Sequence, residues 1–151
     1  MASLLDVNLL IALAWPSHVH HQAALAWFRE NQPSGWATCP LTQSGFVRVS
    51  SNPQALPEAK PPRESILLLQ PIVSLPHHQF WHDDVSLATS VLFDATRLSG
   101  YRQVTDAHLV TLALQRAGRL ATLDRKIRSL VPRGRTASDA VCVVLEEEDA
   151  G

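Results

Sequence analysis

The sequence predicts an α/β fold in which a mostly parallel central sheet is flanked by helices. Short apolar or β-branched segments alternate along the chain with longer segments whose apolar residues recur every three or four positions. The first of the short segments is apolar without alternation, which is typical of strands buried on both faces. The chain has 151 residues, of which 46% are hydrophobic. We therefore expect one domain over residues 1–151.

The N-terminal third begins with a strand and two helices. Residues 3–5 predict a buried strand, and the apolar run at residues 7–15 predicts a helix that Pro16 ends. Residues 18–31 form an amphipathic pattern, for which Ser17 is the expected N-cap. This order of elements is typical of the start of a layered α/β domain.

The middle of the chain is divided by prolines and glycine. Residues 52–62 hold four prolines and predict a loop, and Pro71 is expected to close the helix before it. Three segments have the composition of short strands: residues 36–39, 72–75 and 78–81. Three segments predict helices: residues 41–50, 63–70 and 86–96.

The C-terminal third carries the strongest helix signal. Thr105 is a suitable N-cap for a helix of about three turns, and Gly118 stands where a helix C-terminus is usually found. Residues 120–123 predict a strand that ends at Asp124. Residues 140–145 are apolar and β-branched, which favours a central strand.

Composition argues against a membrane protein and against a disulfide scaffold. No apolar run is long enough to span a bilayer, and Asp6 and Asn8 interrupt the apolar N-terminus, which does not fit a signal peptide. Cys39 and Cys142 are far apart and lack CxxC spacing, as expected of free thiols in a reducing compartment. We expect a soluble cytoplasmic protein.

The formal net charge of −1 conceals a basic segment. Seven of the 13 Lys and Arg residues lie within residues 116–135, where Asp124 is the only acid. Positive charge beside an acid suits a phosphate-bearing substrate, and a solvated helix face is the alternative interpretation. Arg125, Lys126 and Arg128 follow Asp124, and we interpret them as substrate contacts.

Three separated aspartates are expected to meet at one edge of the sheet. Asp6 and Asp124 each follow a predicted strand, and Asp106 lies in the first turn of a predicted helix. In parallel α/β folds the ligand site lies beyond the carboxyl ends of the strands. Carboxylates gathered there remain ionised together only if cations neutralise them. The pattern predicts a Mg²⁺ or Mn²⁺ site, although aspartate also occurs at caps and turns for local reasons.

Three motifs resemble the PIN-domain ribonucleases. They are LDVNLLIAL at residues 5–13, VTDAHL at residues 104–109 and ATLD at residues 121–124. Within that family the chain is similar to the VapC toxins of bacterial toxin–antitoxin pairs, and the segments CPLT, GFVR and FWHDD resemble one VapC subfamily. The resemblance implies a three-layer fold with a mostly parallel sheet. It also implies a metal-dependent endoribonuclease whose products carry 5′-phosphate and 3′-hydroxyl ends.

The same resemblance assigns roles to individual residues. It implies that Asp6, Asp106 and Asp124 bind the metal and are catalytic, and that Asn8 and Thr122 orient a carboxylate or a metal-bound water. It implies a homodimer as well. The expected partner is a VapB-type antitoxin whose tail covers the site and inserts an arginine among the carboxylates.

The chain departs from the family pattern at one acidic position. The family usually carries a Glu on the helix after the second strand, whereas residues 41–45, LTQSG, contain no acid. Gln43 is the better candidate for the substituted position, and Gly45 is the alternative. The loss of one negative charge predicts weaker binding of a second ion. The missing acid also leaves open an alternative function, in which the domain cleaves RNA poorly and mainly binds RNA or its antitoxin.

The densest group of ligand-type residues has a structural interpretation. His77, His78, His82, Asp83 and Asp84 match no zinc signature, and we interpret them as a strand and turn before the next helix, with Asp84 as a cap. A phosphatase with an aspartyl nucleophile is a further alternative for the whole chain. Its commonest motif needs an acid two residues after the nucleophile, where this chain has an asparagine.

The remaining histidines, tryptophans and aspartates also have structural interpretations. Three histidines at the start of a predicted helix are expected at the surface: His18, His20 and His21. Four tryptophans are expected in the core or an interface rather than stacked on bases: Trp15, Trp27, Trp36 and Trp81. Asp94 and Asp139 are expected to be solvated or capping residues.

Overall fold

Five short strands form one all-parallel sheet in the computed structural model, which describes residues 1–145. The acidic residues 146–149 lie outside the described residues. The strands, numbered along the chain, are β1 (Ser3–Leu5), β2 (Trp36–Thr38), β3 (His78–Phe80), β4 (Arg119–Thr122) and β5 (Val141–Val143). Their order across the sheet is β3-β2-β1-β4-β5. β1, which ends just before Asp6, therefore lies at the centre beside β4.

Helices connect the strands. They are α1 (Val7–Ala14), α2 (His21–Asn31), α3 (Pro40–Ser50), α4 (Pro62–Val73), α5 (Val104–Gln115) and α6 (Ala137–Ala140). Short 3₁₀ helices occur at Gln32–Ser34, Ala95–Arg97, Tyr101–Gln103 and Arg125–Leu130. No helix within residues 1–145 has the length and apolarity needed to cross a membrane.

The sheet separates two buried apolar clusters. Leu4 packs with residues of α5 and α6, whereas the next residue, Leu5, packs with residues of α1 to α4. Successive residues of a strand point to opposite faces, so β1 is covered by helices on both sides. Burying each such leucine contributes about 1.5 to 3 kcal/mol. This arrangement confirms the predicted α/β fold with a parallel sheet between helical layers.

Two predicted helix starts are wrong. Helix α2 begins at His21, with His20 rather than Ser17 at its N-cap, and the Ser17 hydroxyl instead donates to Glu58 at 3.1 Å. Helix α5 begins at Val104, directly after the 3₁₀ helix Tyr101–Gln103, so Thr105 lies inside the helix. The residues before the two helices, His20 and Gln103, lack the extended backbone of a side-chain N-cap, and neither makes a side-chain cap hydrogen bond.

The segment from 63 to 96 differs most from expectation. Residues 72–75 are not a strand, because α4 continues through Pro71 to Val73. The half-buried Ile72 and Val73 pack against the second cluster, and this contact holds the last turn despite the proline. Residues 86–94 form turns and irregular backbone, and residues 95–97 form a 3₁₀ helix, instead of the α-helix predicted over residues 86–96. Most of that segment is exposed, so it has no apolar face whose burial would stabilise a helix.

Two further predictions at the C-terminal end need correction. Strand β5 lies at an edge of the sheet and pairs only with β4, so its β-branched composition reflects burial by helices rather than a central position. Gly118 does not adopt the left-handed conformation that ends α5, since Ala117 does, with φ 53°. Gly118 is instead a point of close approach. A Cβ there would lie 2.7 Å from the Ala2 carbonyl oxygen and 2.8 Å from the Trp81 ring.

Several side-chain predictions are confirmed. Three of the four tryptophans are buried, and Trp27 is half-buried. Cys39 and Cys142 are free thiols. The Asp94 carboxylate caps the 3₁₀ helix Ala95–Arg97 and also accepts from the backbone N–H of Arg133.

Candidate active site

Asp6 is fixed at the junction of β1 and α1. Its backbone N–H donates to the carbonyl of Ala121 on β4 at 2.9 Å, which continues the parallel pairing of the two strands. Its carboxylate caps α1, with Oδ1 accepting from the Val7 N–H at 2.8 Å. The residue is 5% exposed. The position of Asp6 is therefore fixed by its backbone bond to β4 and by its side-chain bond to the first residue of α1.

Thr122 connects the polar groups around Asp6. Its hydroxyl donates to Asp6 Oδ2 at 2.7 Å and accepts from Asn8 Nδ2 at 3.2 Å and from the backbone N–H of Asp124 at 3.1 Å. Asn8 Oδ1 accepts from the Leu123 N–H at 3.1 Å. The two polar residues expected to orient the site, Asn8 and Thr122, thus lie together between Asp6 and Asp124.

All three predicted aspartates line one pocket of about 460 Å³ at the carboxyl ends of β1 and β4. Asp106 reaches it from the first turn of α5. Asp124 caps the 3₁₀ helix Arg125–Leu130, with its Oδ1 accepting from the Lys126 N–H at 3.0 Å. We call this cavity, lined by Asp6, Asp106 and Asp124, the carboxylate pocket.

Burial and neighbouring negative charge disfavour the ionised forms of Asp6 and Asp106. Burial raises the pKa of Asp106 to about 6, and repulsion from Asp6 and Asp124 adds to the effect. Burial also raises the pKa of Asp6 from 3.8, against the opposing hydrogen bonds from Thr122 and Val7, and Asp124 raises it further. A cation in the pocket would relieve this repulsion.

The fit of a divalent ion depends on the donor set. Asp6, Asp106, Asp124 and Asn8 supply carboxylate and amide oxygens at the pocket, and hard cations such as Mg²⁺ prefer oxygen ligands. Within residues 1–145, no three His, Cys, Asp or Glu side chains are grouped closely enough to hold a metal ion by direct contacts alone. The donor chemistry therefore fits an ion that keeps several water ligands, as Mg²⁺ usually does.

Neither candidate for the missing acid, Gln43 or Gly45, lines the carboxylate pocket, but Gly45 lies against a residue that does. The Gln43 side chain donates to the Thr38 hydroxyl at 3.0 Å and is not part of the pocket lining. Gly45 is buried, and a Cβ there would lie 2.6 Å from Cγ2 of Val7, which does line the pocket. Val7 therefore occupies the space that a side chain at position 45 would need.

His18 is a pocket residue that sequence interpretation missed. It was expected at the surface, yet it is half-buried and lines the carboxylate pocket together with apolar side chains of Ile11, Val49 and Leu56. The sequence around His18 does not indicate that its side chain lines a pocket. The loop between α1 and α2 is directed to the pocket by tertiary packing, which periodicity does not report.

The predicted basic contacts separate into two groups. Arg125 and Lys126 are exposed and directly follow Asp124. Arg128 is half-buried and lines a different, larger cleft of about 1070 Å³ beside Trp27 and Arg119. That cleft contains none of the three aspartates. Only the first two basic residues are therefore placed next to the carboxylate pocket.

The histidine and aspartate cluster after β3 forms separate local contacts. Asp83 pairs with His108 of α5 at 2.7 Å, and the His78 ring contacts the Thr38 hydroxyl at 2.8 Å. Asp84 does not cap a helix, because it accepts from Gln115 and no helix follows it directly. The cluster thus tethers the loop after β3 to α5.

Comparison with known proteins gives a consistent result. The family model described as PIN domain matches residues 3–131. Ribonuclease VapC38 of Mycobacterium tuberculosis (strain ATCC 25618 / H37Rv) is 50% identical over 128 residues, which cover 85% of this chain and 89% of that protein. Ribonuclease VapC39 of the same strain is 45% identical over 134 residues, which cover 89% of this chain and 96% of that protein. Ribonuclease VapC44 of that strain is 41% identical over 136 residues, covering 90% and 95%.

Proposed function

The chain belongs to the PIN-domain family and to its VapC group, and on that premise we propose that it is a metal-dependent endoribonuclease, the toxin of a toxin–antitoxin pair. The observation that carries the proposal is the carboxylate pocket, where Asp6, Asp106 and Asp124 face one cavity. The names of the relatives support ribonuclease activity. The carboxylate oxygens of the three aspartates support a hard divalent cation, Mg²⁺ or Mn²⁺.

Each residue of the site has a distinct proposed role. Asp6, Asp106 and Asp124 would hold the ion. When bound, the ion supplies the Lewis-acid chemistry that hydrolysis of an RNA phosphodiester requires. Thr122 and Asn8 fix the Asp6 carboxylate and the backbone before Asp124, so that the ligands do not have to be ordered at the time of binding.

We propose that one ion is bound more firmly than a second. Three carboxylates carry less negative charge than the four usual in the family. We assign the substituted acidic position to Gly45, because Val7 fills the adjoining space in the pocket wall. Gln43 is bonded elsewhere and takes no part in holding the ion.

The exposed residues Arg125 and Lys126 are proposed to contact RNA phosphates beside the one that is cleaved. The proposed partner is a VapB-type antitoxin that covers the pocket with an arginine. We further propose a homodimer, and we place the activity in the cytoplasm, where RNA and antitoxin are found together.

Cleavage of RNA by the purified protein tests the proposal. We expect a structured RNA to be cut when Mg²⁺ or Mn²⁺ is present and to remain intact in EDTA. The substitutions Asp6→Asn and Asp106→Asn should each abolish cutting. Asp139→Asn, at an exposed position outside the pocket, is the matched control and should cut normally. Cutting that survives both pocket substitutions would show that the reaction occurs elsewhere.

The missing fourth acid favours one alternative, a PIN module that binds RNA or antitoxin but cleaves poorly. The same experiment separates the two functions. If the protein cuts no RNA in either metal yet binds its antitoxin, the alternative replaces the ribonuclease.

A further inference from the structure

We propose that His18 and the apolar wall beside it form a subsite for the nucleotide that flanks the cleaved phosphate, with the His18 imidazole donating a hydrogen bond to RNA. The inference rests on the proposed ribonuclease function and assigns a further part of the same pocket. It begins from the composition of the pocket lining. The lining combines the three aspartates and Asn8 with His18 and apolar residues such as Val49 and Leu56.

The His18 ring is oriented before any ligand binds. Its Nδ1 accepts from the backbone N–H of His20 at 3.0 Å, so the neutral ring carries its proton on Nε2. The loop itself is fixed by the backbone bonds His18 N–H to Trp15 carbonyl, at 2.9 Å, and His21 N–H to His18 carbonyl, at 3.0 Å. Within residues 1–145, no hydrogen bond is made at Nε2. The Nε2–H of His18, a residue that lines the pocket, can therefore donate to a ligand.

His18 is not part of the metal site. Burial lowers its pKa first, and the neighbouring His20 and His21 lower it further, whereas no aspartate raises it. No carboxylate is in ion-pair contact with the ring within the described part of the chain. The imidazole thus lies in the same cavity as the aspartates without touching them, as expected for a group that binds a neighbouring part of the substrate.

Among the residues that line the pocket, few other side chains can donate a hydrogen bond to RNA. The Asn8 amide is already engaged with Thr122, and three lining residues have carboxylates that repel phosphate. The volume of about 460 Å³ is within the range of cavities that take a small ligand, so it can accommodate one nucleotide. The apolar wall suits a ribose or base, and the His18 N–H suits a phosphate oxygen or a hydroxyl.

Steady-state cleavage of a labelled RNA in Mg²⁺, with kcat and KM measured separately, tests this assignment. We expect His18→Ala to raise KM about five- to tenfold, because it removes one hydrogen bond to a charged group. His18→Gln keeps an N–H donor near the same position and should stay within about threefold of the unsubstituted protein. Mn²⁺ affinity should be unchanged in both, because His18 does not bind the ion. His20→Ala is the control on the same loop and should leave KM unchanged.

A second pair of variants does not depend on the loop that holds His18. Ala55 is exposed and lines the subsite from the opposite chain segment, so charged residues fit there without repacking. Ala55→Glu should raise KM about three- to tenfold relative to Ala55→Lys, because it repels the RNA. If the unsubstituted protein cleaves RNA but neither pair of variants changes KM, the proposed subsite is wrong. The proposed ribonuclease function is then unaffected. If the unsubstituted protein cleaves no RNA, both are overturned.

Discussion

The Thr122 hydroxyl donates to the Asp6 carboxylate across 2.7 Å, joining the ends of two adjacent parallel strands. The same hydroxyl accepts from the N–H of Asp124, so one oxygen atom links two of the three proposed metal ligands. Thr122 is fully buried. The geometry of the pocket therefore depends on a residue that need not itself touch the ion.

Thr122→Val tests that dependence. Valine keeps the shape but leaves the Asp6 oxygen and the Asp124 N–H without this partner, so we expect a loss of about 1 to 3 kcal/mol in the free energy of unfolding. Metal affinity should fall about 10- to 100-fold, the usual effect of removing a group that orients a ligand. Urea unfolding and Mn²⁺ titration measure the two effects. Thr111→Val is the control, because Thr111 is also buried and its hydroxyl donates to the Ala107 carbonyl of its own helix. An equal loss of metal affinity in both variants would contradict the role of Thr122.

The dependence of stability on pH tests the charge repulsion in the pocket. The pKa of Asp106 is raised to about 6 in the folded metal-free protein, so between about pH 4 and 6 the folded state holds a proton that the unfolded chain has released. The free energy of unfolding in EDTA should therefore decrease as pH rises through this window. Asp106→Asn should flatten the decrease, and Mg²⁺ should restore stability at pH 7. Stability that rises through the window in EDTA would refute the repulsion.

The contact between Gly45 and Val7 is testable by a double-mutant cycle. Gly45→Ala places a Cβ 2.6 Å from the Val7 side chain, and we expect it to destabilise the fold by about 1 to 3 kcal/mol. Val7→Ala should remove most of that penalty when the two are combined. Gly100→Ala should have little effect, because a Cβ there meets no atom of residues 1–145 within 4 Å apart from its chain neighbours. Additive losses in the double variant would show that Val7 does not fill this space.

The salt dependence of RNA binding shows which of the basic residues contact RNA phosphates. Replacing Arg125 or Lys126 with alanine should lower the slope of log affinity against log salt by about 0.7 for each phosphate of a single strand that the protein no longer neutralises. Arg128→Ala should leave the slope unchanged, because that side chain lines the other cleft. Fluorescence anisotropy at several KCl concentrations gives the slopes. A larger effect at Arg128 would reverse the assignment.

Much of the site could be predicted because parallel strands end at the same edge. Asp6 and Asp124 follow β1 and β4, and their meeting needs only the strand direction, which short apolar segments between helices indicate. Asp106 is grouped with them from its position in the first turn of a predicted helix, and the resemblance to PIN domains supports that grouping. Its helix could be recognised, but not the face it turns to the pocket.

The rest depends on contacts between residues far apart in sequence. Gly45 meets Val7 across the α1–α3 interface, and His18 enters the pocket through the course of a loop, so neither position has a local signature. Residues 86–96 carry helical periodicity yet form turns and the start of a 3₁₀ helix, and none of them is buried. Helical periodicity in the sequence thus failed to predict a helix in residues 86–96, where no residue is buried.

Binding of Mn²⁺ to the intact protein, measured by isothermal titration with its stoichiometry, tests the central claim most directly. We predict one firmly bound ion per chain, with affinity strongly reduced in Asp6→Asn and in Asp106→Asn and retained in Asp139→Asn. Binding of unchanged strength in both pocket variants, or no binding by the unsubstituted protein, would contradict a metal site built from these aspartates.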